Sequence, residues 1–564
     1  MQVGKLSGYF AFGFLLASCG EEAPTAKECL AADMVIHNTL IYTADDDNWT
    51  AEAAASLGDK IIFVGSNADA EKYMCGNAEI LDMSGKFVYA GLTDGHQHLA
   101  RMGAREMTID LGGMGSLKET VDALKAWADD VPDGGWVLGS GWIERDWTDE
   151  KRFLNKTDVD AFTANKPLYI PRSDNSSALV NSKALELLGV TKETPDPFGG
   201  AFERDKNGEP TGYIVGDAMN LFEPLLPTGE DLNFVKESLQ KGMDWNVEHG
   251  WTAIHDSAQF DNDTNMLKEL HAEGKMKHRV FVSANIRFRD KRLAEGVYDS
   301  GDHMYQLAAI KLYIDGTLGS RSAALLANYN DADHPGYISF EREELYPTMV
   351  AALKAGFQIQ THAIGDKANR LILDWYQEAM LEVPREEWGN PDPRWRMEHA
   401  QLMNPADFPR FKEIGILPSM QPSHAIGDLH YAEERIGLER LQWAYAWRTM
   451  IDHGNTIIGG TDAPAERGDP RIEFYAAVAR KDLNGFSAEG WNPDLSVTRE
   501  EALKMFTVWP AYGAFQEDIK GMVKVGYLAD FTVFDKDIMT IPDNEIPLVQ
   551  NQMTIVGGKI VFKK

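Results

Sequence analysis

Eight short apolar runs recur along the chain, each separated from the next by a longer stretch: KFVYAGLTDGH, GWTAIHDSA, HRVFVSANI, LAAIKLYIDG, GFQIQTHAIGD, RWRMEHAQ, GILPSMQPSH and NTIIGGTDAP. The stretches between them include DKANRLILDWYQEAM and REELYPTMVAALKA, whose apolar residues fall near helical spacing. A strand covered on both faces reads as a continuous apolar run, and parallel strands need helical crossovers. Eight such units predict an α/β chain closed into a (β/α)8 barrel, expected over residues 90–515. The stretch at about 100–249 is too long for one crossover. It is expected to be an elaborated excursion that forms a lid or pocket wall.

The two ends have a different style. DMVIHNTLIYTA, DKIIFVGS and AEILDMSGKFVYAG near the start, and GYLADFTVFDKD and QMTIVGGKIVFKK at the finish, read as short strands with Gly, Asn and Asp turns. The economical arrangement is one small β-domain built from residues 29–89 and 516–564, with the barrel inserted between its halves. Residues 1–28 are expected to lie outside the fold. MQVGKLSGYFAFGFLLASCG places Lys5 before an apolar run and small residues, the layout of an export signal and too short to span a membrane as a helix. Leu16, Ala17, Ser18 and Cys19 resemble a bacterial lipobox, in which the cysteine becomes the lipidated first residue. The polar GEEAPTAK that follows suits a tether. That resemblance implies a periplasm-facing, lipid-anchored protein of the bacterial envelope, and Gly20 after the cysteine favours the outer membrane. The alternative is an export signal without a lipid. Outside the cytoplasm Cys29 and Cys75 can pair, and an intramolecular disulfide is expected, with two free thiols as the alternative.

The chain has 564 residues and is 44% hydrophobic, too long for one ordinary core and too apolar for disorder. Its 55 basic residues are outnumbered by 87 acidic ones, for a net charge of -32. Such a surface repels phosphate backbones, so nucleic acid is excluded as an expected partner. Nothing in the sequence speaks to oligomeric state.

Six polar groups stand at informative places on the eight runs. His96 and His98 follow the first, Lys311 lies inside the fourth, His362 ends the fifth, His399 the sixth and Asp462 the eighth. Strand C-termini of a parallel barrel converge on one face, so all six would point into one mouth. Singly each has a plainer explanation. A strand-end histidine is more often structural, a lysine can snorkel or pair with a carboxylate, and an aspartate can cap the next helix. Jointly they would be costly in a core without a shared partner. A pair of divalent cations is the natural one. Imidazole with carboxylate suits zinc and admits manganese, iron or cobalt. An ordinary lysine would repel those cations. Either its amine reacts with carbon dioxide to give a bridging carbamate, or it stays unmodified as an electrostatic or proton-transfer group.

In order and in strand placement, His96-x-His98, Lys311, His362, His399 and Asp462 resemble the amidohydrolase superfamily. Within it the chain is similar to the branch that holds N-substituted formamide deformylase and the YtcJ-like proteins. THAIGDKAN, RMEHAQ, MQPSHAIGD, GGTDAPAERGDP, KLYIDGTLGSRSA and GYLADFTVFD carry that likeness, from about Met34 to the end. The resemblance implies a TIM barrel with a β-sandwich made from both termini. It gives His96, His98 and Asp462 to one metal and His362 and His399 to a second, with carbamylated Lys311 bridging. It also implies hydrolysis of a non-peptide carbon–nitrogen bond, of amide, N-formyl or N-acyl type, in a small molecule. Metal-activated hydroxide attacks, and Asp462 moves the proton. An ester, lactone or carbonate hydrolase on the same site is the alternative reading, and a non-catalytic binding lipoprotein a more distant one. Arg321, His424, Asp428, Trp142 and Trp147 are candidates for substrate contact. Ser176, in DNSSALVN, is a further substrate-contact candidate and stands where the branch commonly has a histidine, which weakens inference about substrate more than about metal.

Overall fold

The computed structural model describes residues 29–564 apart from 145–146, 174–176, 198–199, 217, 228–230 and 488–490. Cys19 with its lipobox and tether, and Ser176, lie outside the described residues.

The central sheet has eight parallel strands, with the short antiparallel Tyr298–Asp299 paired to the fourth, numbered here in chain order: β1 (Leu92–Gln97), β2 (Trp251–Gln259), β3 (Arg279–Asn285), β4 (Tyr305–Tyr313), β5 (Gln358–Ala363), β6 (Arg396–His399), β7 (Leu417–Met420) and β8 (Ile458–Gly459). Each of the eight apolar runs contributes one, and neighbours in sequence are neighbours in the sheet. The ring is nearly closed. At the seam Thr461 N and Asp462 N donate to His96 O at 3.2 and 2.7 Å. Glycines allow this approach, since a Cβ on Gly95 would lie 2.3 Å from Ile458 Cγ2 and 2.5 Å from Gly459 O. The strands are buried along almost their whole length because helices cover the outside and side chains fill the inside.

The first run divides where one continuous strand was expected. Phe87–Ala90 pairs with Phe531–Phe534 in a terminal sheet, and Leu92–Gln97 joins the barrel. Gly91 stands at the break, where a Cβ would meet Thr252 Oγ1 at 2.5 Å and Asp530 Cβ at 2.7 Å. The terminal sheet has six strands, drawn from both chain ends, and a second sheet of four strands comes from residues 34–82. Both feed one apolar cluster, with Met34, Ile36, Ile61 and Leu81 from the four-stranded sheet and Val88, Phe531, Val533 and Ile555 from the six-stranded one. Cys29 and Cys75 are joined by a disulfide across a separation of 46 residues.

The excursion after β1 begins and ends with barrel-side helices, Leu99–Glu106 and Leu232–His249, packed together. Between them is a lobe with its own six-stranded sheet, ordered Gly200–Arg204, Pro210–Gly216, Ser177–Val180, Leu168–Pro171, Val137–Ser140 and Ile109–Asp110. Trp142 and Trp147 belong to that lobe's apolar core, both buried, with the Trp142 indole donating to Ile170 O at 3.1 Å. With 0% and 1% of their surface exposed, Trp142 and Trp147 pack inside the lobe and do not form the expected pocket wall. Among the described residues no helix is long and apolar enough to cross a membrane.

Candidate metal centre

The C-terminal ends of the strands bring the expected residues together. His96 sits in β1 and His98 just beyond it, Lys311 in β4, His362 in β5, His399 at the end of β6, and Asp462 three residues past β8. His399 and Asp462 adopt left-handed backbone, at φ 74° and 58°. For non-glycine residues this conformation costs on the order of 1–3 kcal/mol each and persists where surrounding contacts impose it.

Each imidazole has one nitrogen tied down. His96 Nδ1 contacts the Glu398 carboxylate in a very short hydrogen bond. His98 Nδ1 donates to Ser257 O at 2.9 Å, His399 Nδ1 to Gln421 Oε1 at 2.8 Å, and His362 Nε2 to Gly316 O at 3.2 Å. Carbonyl and carboxylate oxygens only accept, so these partners place the proton on the bonded nitrogen. The other nitrogen of each ring is therefore a lone-pair donor. His98 Nε2 lies 3.1 Å from Asp462 Oδ1 and His96 Nε2 lies 3.6 Å from it, with the Lys311 amine 3.2 Å from His96 Nε2. The ring centroids of His362 and His399 are 4.6 Å apart.

The charge states agree with this geometry. Burial, with the nearby Lys311 charge, lowers His96 and His362 to about 4, and burial holds His399 well below its ordinary value. The rings of His96, His362 and His399 are thus neutral donors at physiological pH. Burial also lowers Lys311 to about 8. Burial alone would raise Asp462, but its contact with His98 and the surrounding imidazoles outweigh it and keep the carboxyl well below its usual range.

Single ligand atoms from His96, His98 and Asp462 all lie within 4.8 Å of one another, as do single atoms from His399, His424 and Asp462. His424, expected from the sequence as a substrate contact, thus lies within this cluster, its Nε2 3.5 Å from Asp462 Oδ2. His362 joins the group through its ring contact with His399. Arg321 does not join. Its guanidinium pairs with Asp331 at 2.8 Å, which also holds Arg435. Asp428 is likewise engaged, accepting from the hydroxyls of Tyr431 and Tyr445.

A layer of buried charge beneath the site was missed in the sequence. The Arg396 Nε lies 2.8 Å from Glu398, both residues fully buried, and its Nη2 donates to Gly95 O at 2.7 Å and Ser419 Oγ at 2.8 Å. Asp94 accepts from Thr461 N and Oγ1 at 2.9 and 2.7 Å, fastening β1 to the loop that carries Asp462. Asp315 accepts from Ala324, Ile364 and Gly365 amides and fastens the β4 and β5 loops. A signal existed for each, an acidic residue next to the strand-end histidine or glycine in TDGH, RMEH and YIDG. A carboxylate inside an apolar run requires a partner.

Residues 79–562 match the Amidohydrolase family. The chain is 28% identical over 539 residues to YtcJ of Bacillus subtilis (strain 168), named as an amidohydrolase, with 94% of this chain and 99% of that one covered. It is 25% identical over 547 residues to the N-substituted formamide deformylase of Arthrobacter pascens, covering 94% and 98%. Among solved structures, an uncharacterized metal-dependent hydrolase from Pyrococcus furiosus superposes with a TM-score of 0.71 at 25% identity, covering 90% of this chain and all of that one. With a family match of this extent and relatives aligned along nearly their whole length, the chain belongs to the amidohydrolase family.

Proposed function

We propose that this protein is a metal-dependent hydrolase that cleaves a non-peptide carbon–nitrogen bond, of N-formyl or N-acyl amide type, in a small molecule. The observation that carries the reading is the tautomer set. Four imidazoles on three barrel-strand ends each have one nitrogen tied to an acceptor, ligand atoms of His96, His98 and His399 gather around one ionised carboxylate, and His362 packs against His399. Orienting partners of this kind are what metal-ligating histidines use. The donor set fits zinc. His96, His98 and Asp462 would hold one ion, and His399 with His362 or His424 a second, with Lys311 between them as a carbamate. Bound there, the ions would generate hydroxide from water at neutral pH and polarise the scissile carbonyl. Asp462, held ionised, accepts the water proton and returns it to the departing nitrogen. The deformylase relative supports the amide class.

Metal analysis and a hydrolysis screen test this together. Two zinc equivalents per chain and turnover of N-formyl or N-acyl amides are expected, and Asp462→Asn should retain most metal while turnover falls by about 10²–10⁴-fold. Turnover of esters or lactones with no amide would sink the bond class. One ion beside an unmodified Lys311 would leave a mononuclear enzyme.

The terminal sheets form, in this reading, one small β-sandwich domain over residues 29–89 and 516–564, beside a barrel over 90–515. Export and lipidation at Cys19 would tether it to the envelope.

A further inference from the structure

A cavity of about 200 Å³ opens beside His98, lined by that residue, Ser257, Asn285 and Tyr313 at the C-terminal ends of β1 to β4 and by Arg101 of the helix Leu99–Glu106. Through Ala100, Arg101, Phe260 and Asp263 it adjoins a second cavity of about 550 Å³, walled also by Phe234 and Phe288. The second space is within the size range of small-molecule sites. Phe260 is 46% exposed, and its ring meets Phe288 edge-on at 6.0 Å.

Arg101 stands where the two spaces join. Every carboxylate that lines them is already engaged. Asp256 accepts from Leu99 N and the Gln259 amide, Asp261 holds Lys291 and Arg292, and Asp263 accepts from Phe260 N. Among the described residues no acid pairs with the Arg101 guanidinium, although the chain carries 87 acids against 55 bases. The next arginine on the same helix, Arg105, is held by Glu106 and two carbonyls. An exposed guanidinium lining a cavity that reaches His98 suits a carboxylate, since it offers paired N–H donors in the plane a carboxylate needs. In a protein of net charge -32 an anion needs such a local cation to enter.

We infer that the substrate is an N-formyl or N-acyl amino acid with an aromatic or large apolar side chain. Its carboxylate lies on Arg101, its side chain among Phe234, Phe260 and Phe288, and its amide carbonyl toward His98 and Asp462. The inference rests on the amide-hydrolase reading above. Water adds across the amide: the C–N bond breaks, the acyl carbon takes OH, the nitrogen takes H, and a carboxylic acid and a free amino acid leave. No further reactant is needed.

The test uses the zinc-loaded full chain with N-formyl- and N-acetyl-phenylalanine and their uncharged carboxamide analogues. Wild type should prefer the acids by about 10- to 100-fold in kcat/KM, the worth of one charged hydrogen-bonded pair. Arg101→Gln should bring that ratio toward one through KM, and Arg101→Lys should restore part of it. Calorimetric binding of N-acetyl-phenylalanine to wild type and Arg101→Gln gives a readout independent of turnover. If no amide is hydrolysed but binding still depends on Arg101, the bond class falls and the carboxylate site stands. Equal handling of acid and carboxamide by wild type, or binding unchanged in Arg101→Gln, overturns the inference and leaves the hydrolase reading intact.

Discussion

Glu398 is a carboxylate without access to solvent, set between Arg396 and His96. Burial would raise its pKa, but the Arg396 charge and the His96 contact outweigh that and hold it well below the ordinary value. Its charge fixes the His96 tautomer and neutralises Arg396 at once. Glu398→Gln keeps the shape and removes the charge, so a buried guanidinium is left uncompensated, at a cost of about 3–5 kcal/mol. Zinc affinity should fall by about 10- to 100-fold, as when other orienting partners are lost. Chemical denaturation and a competitive chelator titration measure the two effects, and unchanged affinity would remove Glu398 from the site. Lys311 supplies a pH test. Only a neutral amine reacts with carbon dioxide, and with its pKa lowered to about 8 the neutral fraction falls about tenfold for each unit below that. With dissolved carbon dioxide held constant at each pH, reactivation of metal-free protein by zinc should therefore speed up with rising pH to about 8 and level off above it. A rate flat across that range argues for an unmodified lysine. At this scale the residues that the strand ends bring together were legible, because imidazoles and a lysine in apolar runs are conspicuous. Glu398 and Asp94 were not, because an acid beside a histidine looks the same whether it orients that ring or faces solvent.

The barrel strands were legible because each is buried on both sides and so reads as one apolar run. Their limits were less so. Gly91 divides the first run between two sheets, and that depends on Thr252 and Asp530, which are distant in sequence. The excursion shows the same limit, since its strands build a separate sheet whose core absorbs Trp142 and Trp147. Two helices anchor it by close approach. A Cβ on Gly103 would fall 1.6 Å from Ser238 O and 2.7 Å from Gly242 N. Gly103→Val should force Leu99–Glu106 away from Leu232–His249 and destabilise the fold by about 1–3 kcal/mol or more. Because Leu99–Glu106 starts directly after His98 and carries Arg101, metal affinity should fall with it. A denaturation midpoint equal to that of wild type would show that the helices can part without loss.

Across the whole molecule, the two chain ends meet in one six-stranded sheet, and the Cys29–Cys75 disulfide closes the N-terminal part onto itself. This places the first described residues on the β-rich part rather than on the barrel. A lipid on Cys19 would tether the chain from that side. Expressed with its full N-terminus in a Gram-negative host, the protein should fractionate with membranes, and Cys19→Ala should release it in soluble form. Labelled fatty acid incorporated into the wild type but absent from the variant confirms the site. Lipid on the Cys19→Ala protein would reject it.

By itself the amino-acid sequence determined the eight parallel units and the six ligand-type residues on their C-terminal ends. Both follow from local chemistry, apolar runs for buried strands and conspicuous polar atoms where a run stops. Only the tertiary structure decided which nitrogen of each imidazole is free, since Glu398, Ser257 O, Gly316 O and Gln421 come from other strands and loops. It also set His424 beside Asp462, turned Arg321 toward Asp331, and left Arg101, among the described residues, without a paired acid at the junction of two cavities. Those outcomes depend on which groups reach each other through space, and spacing along the chain carries no record of that.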